Sequence, residues 1–181
     1  MNGGLRELLR GPRPYDIFLR SYLSEVPGMT NVPVSHEEKE SFVYEFHLLE
    51  ALGRLEFEYA KVQSLKVGVV LIARGMPVQS QGFEGNCYTE IRLVYIYPEY
   101  RRIGIAHDLV SCVLNRYAGL VGWEIERRNT ASLLFFQRLA KEKGLVPYCQ
   151  WIVINNEGYD IVTRNYIYLS PLKAMKERKT V

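Results

Sequence analysis

Apolar positions in the first third of the chain recur at the spacing of amphipathic helices. Phe42, Phe46 and Leu49 form one such stripe, and Ser35 opens this helix with a capping pattern. An earlier and shorter helix is expected over residues 15–24, because prolines and a glycine bracket that segment on both sides. The N-terminal third is therefore predicted to contribute two helices.

Strand patterns dominate the rest of the chain. Leu55, Phe57 and Tyr59 alternate with glutamates, which is typical of a strand, although a helix that continues past Gly53 also fits. The remaining segments follow in the order strand 67–73, turn-rich loop 75–85, strand 88–97, helix 104–117, strand 120–126, helix 130–143, strand 148–154 and strand 161–169. This order predicts a mixed α/β sheet.

The junction between the strand that stops at Pro98 and the helix that follows carries the most specific chemical signal. Gly104 and Ala106 are small, so the backbone can come close to a ligand there. The first turn of a helix has unpaired N–H groups and the positive end of the helix dipole, which together attract anions. Arg101 and Arg102 add donors that suit phosphate oxygens. The junction is a candidate phosphate site, although small residues at a helix start also serve packing alone.

This segment resembles the acetyl-CoA-binding motif of the GNAT superfamily of N-acetyltransferases. The family writes the motif R/Q-x-x-G-x-G/A after a strand, and here it is Arg101-x-x-Gly104-x-Ala106. A second family signature, N-x-x-A-x-x-x-Y, is similar to the helix that Asn129 opens, where Phe136 stands in place of the tyrosine. Both signatures occur in the family's order, and the resemblance covers more than half of the chain.

The resemblance implies an α/β fold with a mixed, mostly antiparallel sheet flanked by helices. In that fold two parallel strands splay apart at a bulge, and acetyl-CoA lies between them. A single domain is expected over residues 1–181, with an atypical N-terminal segment at residues 1–34 and a basic tail at residues 171–181. No clear first strand is evident in residues 1–14.

A cofactor site follows from the same resemblance. The residues expected to contact acetyl-CoA come from the strand edge, the loop and the two helix starts, and they are Val94, Tyr95, Ile96, Arg101, Arg102, Ile103, Gly104, Ile105, Ala106, His107, Asn129 and Phe136. The pantetheine arm would pair with the strand edge, and the pyrophosphate would lie on the N–H groups of residues 102–107. A backbone N–H near Tyr95 would polarise the thioester carbonyl.

Glu90 is implied as the general base, because glutamate-base members of the family carry the base on the strand that feeds the loop. The alternative is a solvent-facing glutamate, or one that pairs with Arg92. The family's usual general acid is the tyrosine hydroxyl that Phe136 lacks. Tyr95 is one of the tyrosines that could substitute, and water could also protonate the thiolate. Core packing alone would equally explain Phe136.

The charge and composition of the chain limit the classes of partner that it is expected to bind. The 181 residues carry 23 Lys and Arg against 20 Asp and Glu, a net charge of +3. Residues 171–181 hold four basic residues and one acidic residue, so the rest of the chain is neutral and no nucleic-acid partner is expected. The three cysteines lack zinc spacing and no apolar run could span a membrane, so a cytoplasmic protein without a metal is expected.

These observations predict an acetyl-CoA-dependent N-acetyltransferase that moves an acetyl group to a primary amine. Residues 35–66 hold seven glutamates against four basic residues, which suits a cationic acceptor, although a solvated helix face explains it too. A small amine or a protein remains open as the acceptor, as does a homodimer. The alternative is a catalytically silent GNAT-fold protein that acts as a binding or assembly component, as some phage-related relatives could.

Overall fold

The apolar runs predicted as strands lie in one six-stranded sheet, within the part of the chain that the structure describes. The structure is a computed structural model that describes residues 12–30, 35–117, 119–126, 129–155 and 161–169. The strands are β1 (Leu55–Val62), β2 (Leu65–Pro77), β3 (Cys87–Ile96), β4 (Leu120–Glu126), β5 (Val146–Asn155) and β6 (Ile161–Leu169). Their spatial order is β1-β2-β3-β4-β6-β5, and β3–β4 is the parallel pair in an otherwise antiparallel sheet.

Helices cover both faces of this sheet. They are α1 (Asp16–Thr30), α2 (His36–Ala51), α3 (Ile105–Leu114) and α4 (Thr130–Glu142), and a 3₁₀ turn spans Pro98–Tyr100. A mixed, mostly antiparallel sheet between helices with one parallel pair confirms the predicted fold class. Among the described helices, none combines the length and the apolar character that crossing a lipid bilayer requires.

Each face of the sheet has its own apolar core. Along β2, Val69 and Leu71 point to one face while Val70 and Ile72 point to the other, as the two-residue period of a strand requires. The first pair packs against α1 and α2 through Phe18, Leu19, Leu23, Val43 and Phe46. The second pair packs in a core that includes residues of α3 and α4, namely Leu109, Val110, Val113, Phe136 and Leu139.

Several predicted boundaries are wrong, and two of them have a clear structural cause. The helix predicted to end at residue 117 ends at Leu114, and the strand predicted from residue 148 begins at Val146. Pro27 and Gly28 were expected to end the first helix, but α1 continues to Thr30. The buried apolar face of α1 outweighs the local cost of a proline and a glycine near the end of the helix. The predicted loop 75–85 is also too long, because β2 extends to Pro77. Pairing with the start of β3 holds these last residues in the sheet, after an irregularity in the ladder.

Other expectations are confirmed or fall outside the described residues. Gly53 has φ +66° and ends α2, so β1 is a strand and the helical alternative is wrong. Residues 1–11 and 31–34 of the N-terminal segment, the turn after β5 and the basic tail at residues 171–181 lie outside the described ranges.

Candidate functional site

The parallel pairing of β3 with β4 is short. Its ladder consists of three pairs, which are Thr89–Val121, Glu90–Gly122 and Ile91–Trp123. On the other side of β3, Ile91 pairs with Ile72 and Leu93 pairs with Leu71, so Arg92 is an extra residue in a β-bulge. Beyond Ile91 the two strands separate, because β4 continues beside β6 alone. The splayed pair and the bulge that the family resemblance implied are both present.

A V-shaped cleft of about 450 Å³ opens where these strands separate. Strand β3 supplies one wall through Val94 and Ile96, and β4 supplies the other through Glu124 and Ile125. Arg101, the start of α3, the first turns of α4 and Tyr22 of α1 also contribute to the lining. The cleft is therefore bounded by helices from both faces of the sheet.

The backbone of β3 alternates between two neighbours. The N–H of Tyr97 donates to the carbonyl of Val67 at 3.0 Å, so this residue and every second one before it face β2. Tyr95 therefore belongs to the β2 ladder. The backbone groups of Val94 and Ile96 point the other way, toward the cleft. Val94 is thus the residue whose N–H can donate to a ligand at the position that was expected near Tyr95.

The side chain of Tyr95 also lies away from the cleft. It is buried on the face covered by α1, where its hydroxyl donates to Glu25. Burial and the adjacent Glu25 carboxylate raise the pKa of Tyr95 above its ordinary value. The three strand residues predicted to contact the cofactor therefore differ. Val94 and Ile96 line the cleft, whereas Tyr95 does not.

The start of α3 is built to leave N–H groups exposed. Gly104 is the N-cap with φ +90°, Arg102 in the preceding loop has φ +63°, and no side chain caps the helix. Asp108 N–H is the first to donate within the helix, to the carbonyl of Gly104 at 3.0 Å, so the N–H groups of residues 105–107 point out of its end. A Cβ placed on Gly104 would have no heavy atom within 4 Å. This open, electropositive helix end suits a phosphate group.

The two arginines of the motif have different surroundings. Arg101 forms an ion pair with Glu25 at 2.6 Å, and its Nε donates to the carbonyl of Ile96 at 2.7 Å. These contacts fix the loop to α1 and β3. Arg102 is exposed, as is Ile103 beside it. Arg102 is thus the better placed of the two to reach a phosphate from the solvent side.

His107 connects the two helices beside the cleft. Its Nε2 lies 2.7 Å from Glu142 at the end of α4, and its Nδ1 lies 3.3 Å from Asp108. The hydrogen bond with Glu142, followed by the one with Asp108, raises the pKa of His107 above its ordinary value. The backbone N–H of His107 belongs to the open start of α3, whereas its side chain links α3 to α4 through Glu142.

Glu90 is buried behind the vertex of the cleft, in the ladder between β3 and β4, and the next two residues, Ile91 and Arg92, line the cleft. The Glu90 side chain is 1% exposed, and Arg92 Nη1 donates to it at 3.2 Å. Burial raises the pKa of Glu90 above its ordinary value, although Arg92 opposes the shift. Burial, together with the nearby Glu90 carboxyl group, also raises the pKa of the Tyr88 hydroxyl above its ordinary value. A solvent-facing Glu90 is excluded, whereas the predicted pairing with Arg92 is present.

Asn129 and Phe136 hold the first turns of α4 against the cleft. Asn129 caps the helix, since its Oδ1 accepts from the N–H of Ser132 at 3.1 Å. The ring of Phe136 is buried and stacks on Trp123, with ring centroids 4.6 Å apart. Phe136 therefore both packs in the core and lines the cleft, and it places no hydroxyl there.

Several lining or neighbouring residues escaped the sequence analysis, among them Tyr22, Phe135 and Glu45. Tyr22 and Phe135 line the cleft, and Glu45 of α2 contacts Arg92. The sequence signal that could have identified Phe135 is its position next to Phe136, in the helix that begins after Asn129. The other two reach the site through tertiary packing, and no local pattern marks them.

The fold is similar to those of solved acetyltransferases. A Desulfovibrio desulfuricans protein assigned to the GNAT family matches with a TM-score of 0.55 and 15% identity, over 87% of this chain and 94% of that one. The yncA protein of Salmonella typhimurium, solved with its cofactor acetyl-CoA, matches with a TM-score of 0.53 and 16% identity, over 86% and 87%. Arabidopsis thaliana NAA60, solved with a bisubstrate analogue, matches with a TM-score of 0.51 and 15% identity, over 88% and 95%.

Sequence comparisons add no closer relative. No protein-family model matches the chain, and no curated protein matches it at a significant level. The likeness therefore rests on three-dimensional structure, which agrees with the splayed strands, the bulge and the helix start described above. The chain has the fold of the GNAT acetyltransferases.

Proposed function

We propose that the protein is an acetyl-CoA-dependent N-acetyltransferase that moves an acetyl group to a primary amine. The observation that carries this proposal is the convergence of three features on one cleft. An open edge of β3 and the uncapped start of α3 border it, and the buried carboxyl group of Glu90 lies behind its vertex, in contact with Arg92, which lines the cleft. Neighbours of the same fold that were solved with acetyl-CoA or with a bisubstrate analogue support the proposal.

The residues present fit acetyl-CoA, which would supply the acetyl thioester. Residues 105–107 would hold the pyrophosphate through their N–H groups, and the open space beside Gly104 leaves room for it. Val94 would pair with the pantetheine arm through its backbone, as a neighbouring strand does. Arg102 would add charge from the solvent side, and Phe136 would close the apolar part of the cleft.

Glu90 would remove the proton of the amine. Its side chain is 1% exposed, so a water molecule is needed to carry the proton to it. Burial makes this carboxyl group a stronger base than an exposed glutamate, which suits work near neutral pH. The Val94 N–H would donate to the thioester oxygen as negative charge develops there. With phenylalanine at position 136, water would protonate the thiolate, whose thiol has an ordinary pKa near ~8.5.

A cationic acceptor suits the vertex of the cleft. Three carboxyl groups lie there, since Glu45 and Glu90 contact Arg92 and Glu124 lines the cleft from β4. Their combined charge favours an amine that keeps a second positive charge while the first nitrogen reacts. A small polyamine and a lysine-containing peptide both have this property.

Binding and turnover together test the proposed function. Acetyl-CoA at ~100 times its Kd should add roughly 2.7 kcal/mol to the free energy of unfolding, which a thermal melt detects. Thiol release in the presence of a panel of amines should then exceed the rate without an amine. Binding without any turnover would instead favour the silent binding component.

A further inference from the structure

Arg92 is shared between two carboxyl groups at the vertex of the cleft. Its Nη1 donates to Glu90 on β3 at 3.2 Å, and its Nη2 donates to Glu45 on α2 in a short hydrogen bond. The Arg92 side chain is 17% exposed, whereas that of Glu45 is 44% exposed. One guanidinium therefore joins the buried carboxyl group to a helix on the neighbouring face.

The bulge places Arg92 where this bridge is possible. Arg92 is the extra residue of β3 and immediately follows the last pair of the ladder with β4. A buried guanidinium is costly unless its charge is compensated. Burial would lower the pKa of Arg92, but Glu90 and Glu45 raise it above the ordinary value, so the group stays charged.

The groups that face Glu90 come from three elements. They are Tyr88 and Arg92 on β3, Glu45 on α2 and Glu124 on β4. Of these four groups, Arg92 is the one that carries a positive charge. A guanidinium paired with one carboxylate alone holds that carboxylate strongly in its ionised form, which makes it a weak base. A second carboxylate on the same guanidinium reduces this effect.

We propose that Arg92 and Glu45 are positioning residues for Glu90. Arg92 fixes the carboxyl group behind the vertex, and Glu45 draws the guanidinium toward α2 so that Glu90 remains able to accept a proton. This inference rests on the proposed function, because it assigns Glu90 the role of base. It makes the position of α2 a determinant of the reaction rate, although Glu45 does not need to touch the substrate.

The two partners should shift the reaction in opposite directions. Glu45→Gln leaves the guanidinium to Glu90 alone, so the acidic limb of the kcat/KM profile should move down by about one pH unit and kcat should fall. Arg92→Gln removes the counter-charge, so the limb should move up by about one pH unit or more. Arg92→Lys keeps the positive charge but lacks the planar fork that bridges two carboxylates. Its limb should therefore lie between those of the parent and Arg92→Gln.

The experiment measures these profiles beside a matched control. Glu40→Gln makes the same substitution in α2, at an exposed residue that pairs with Arg20 at 3.1 Å, and it should leave the profile unchanged. Opposite shifts for the Glu45 and Arg92 variants support the inference. Limbs that stay in place, or that move in the same direction, overturn it, and so does an equal shift in the control. A higher acceptor KM with an unmoved limb would make Glu45 a substrate contact instead.

A second readout separates this inference from the proposed function. Carboxyl NMR of glutamate-labelled protein follows the protonation of Glu90 directly and requires no acetyl transfer. The Glu90 signal, assigned by its loss in Glu90→Gln, should titrate at lower pH in Glu45→Gln and at higher pH in Arg92→Lys. If no amine is acetylated, the proposed function fails while these titrations still decide whether the bridge controls Glu90. If Arg92→Gln does not fold, Glu45→Gln and Arg92→Lys carry the test.

Discussion

Gly104 offers the most direct test of the cofactor site. Its φ is +90°, and a Cβ there would meet no heavy atom within 4 Å. Gly104→Val therefore meets no steric neighbour and costs only the strain of a left-handed backbone, about 1–2 kcal/mol. For a chain of this length that strain should lower the Tm by roughly 2–8 °C. The variant should fold.

Acetyl-CoA affinity should fall much further than stability. The valine side chain would fill the space beside the N–H groups of residues 105–107, where the pyrophosphate is proposed to lie. Losing two charge-assisted hydrogen bonds at about 1.5–3 kcal/mol each would weaken the Kd by about 100-fold or more. Isothermal titration calorimetry with acetyl-CoA measures this change directly.

Gly53 supplies the matched control. It also has a positive φ, +66°, and open space around its Cβ, but it follows the end of α2, whereas Gly104 is the N-cap of α3. Gly53→Val should therefore lose a similar amount of stability while the Kd for acetyl-CoA stays at the parent value. A folded Gly104→Val protein that binds acetyl-CoA as tightly as the parent would show that the helix start is not the phosphate site.

Three further predictions concern the chemistry and the helix pair. Glu90→Gln keeps the shape but loses the base, so steady-state kinetics should show kcat lower by about 100-fold or more while calorimetry shows an unchanged Kd for acetyl-CoA. Phe136→Tyr adds a hydroxyl beside Trp123 in the cleft, and a higher kcat is expected because the thiolate then has a proton donor. Glu142 raises the pKa of His107 above its ordinary value. The stabilisation from this ion pair is therefore fully present below about pH 6.5, and it is lost as the pH rises through the raised pKa. The Tm difference between the parent and His107→Ala should therefore shrink as the pH rises from about 6.5 through the raised pKa, and a constant difference would contradict this.

Local patterns predicted the secondary structure well where each element has a strong period and clear ends. β4 has the predicted bounds, and α4 begins at the predicted residue after its asparagine cap. Errors arose where long-range pairing outweighs local preference. Gly75 and Pro77 look like turn residues, yet both lie in β2, because Met76 and Pro77 pair with the start of β3 beyond the irregularity that contains Gly75.

The site shows the same division between local and long-range information. The glycine-led start of α3 was predictable because a few adjacent residues create it. The bridge from Arg92 to Glu45 joins residues 47 positions apart, and the pair between Arg101 and Glu25 spans 76 positions. The single extra residue in β3 also shifts which backbone groups face the cleft, and nothing in the sequence marks it. Tyr95 was consequently expected at the cleft, although its backbone and side chain point elsewhere.

The three-pair ladder between β3 and β4 is the shortest of those in the described sheet. Seven residue pairs join β4 to β6, whereas three cross the line between β3 and β4. The α3–α4 core spans this line because it contains Ile91 and Val121. On the opposite face a further apolar cluster spans it, where Tyr88 of β3 packs with Ile167 of β6 and against Trp151 of β5. Side-chain packing on both faces therefore supplies the cohesion across this line that backbone pairing does not, so the strands can separate to form the cleft without dividing the sheet in two.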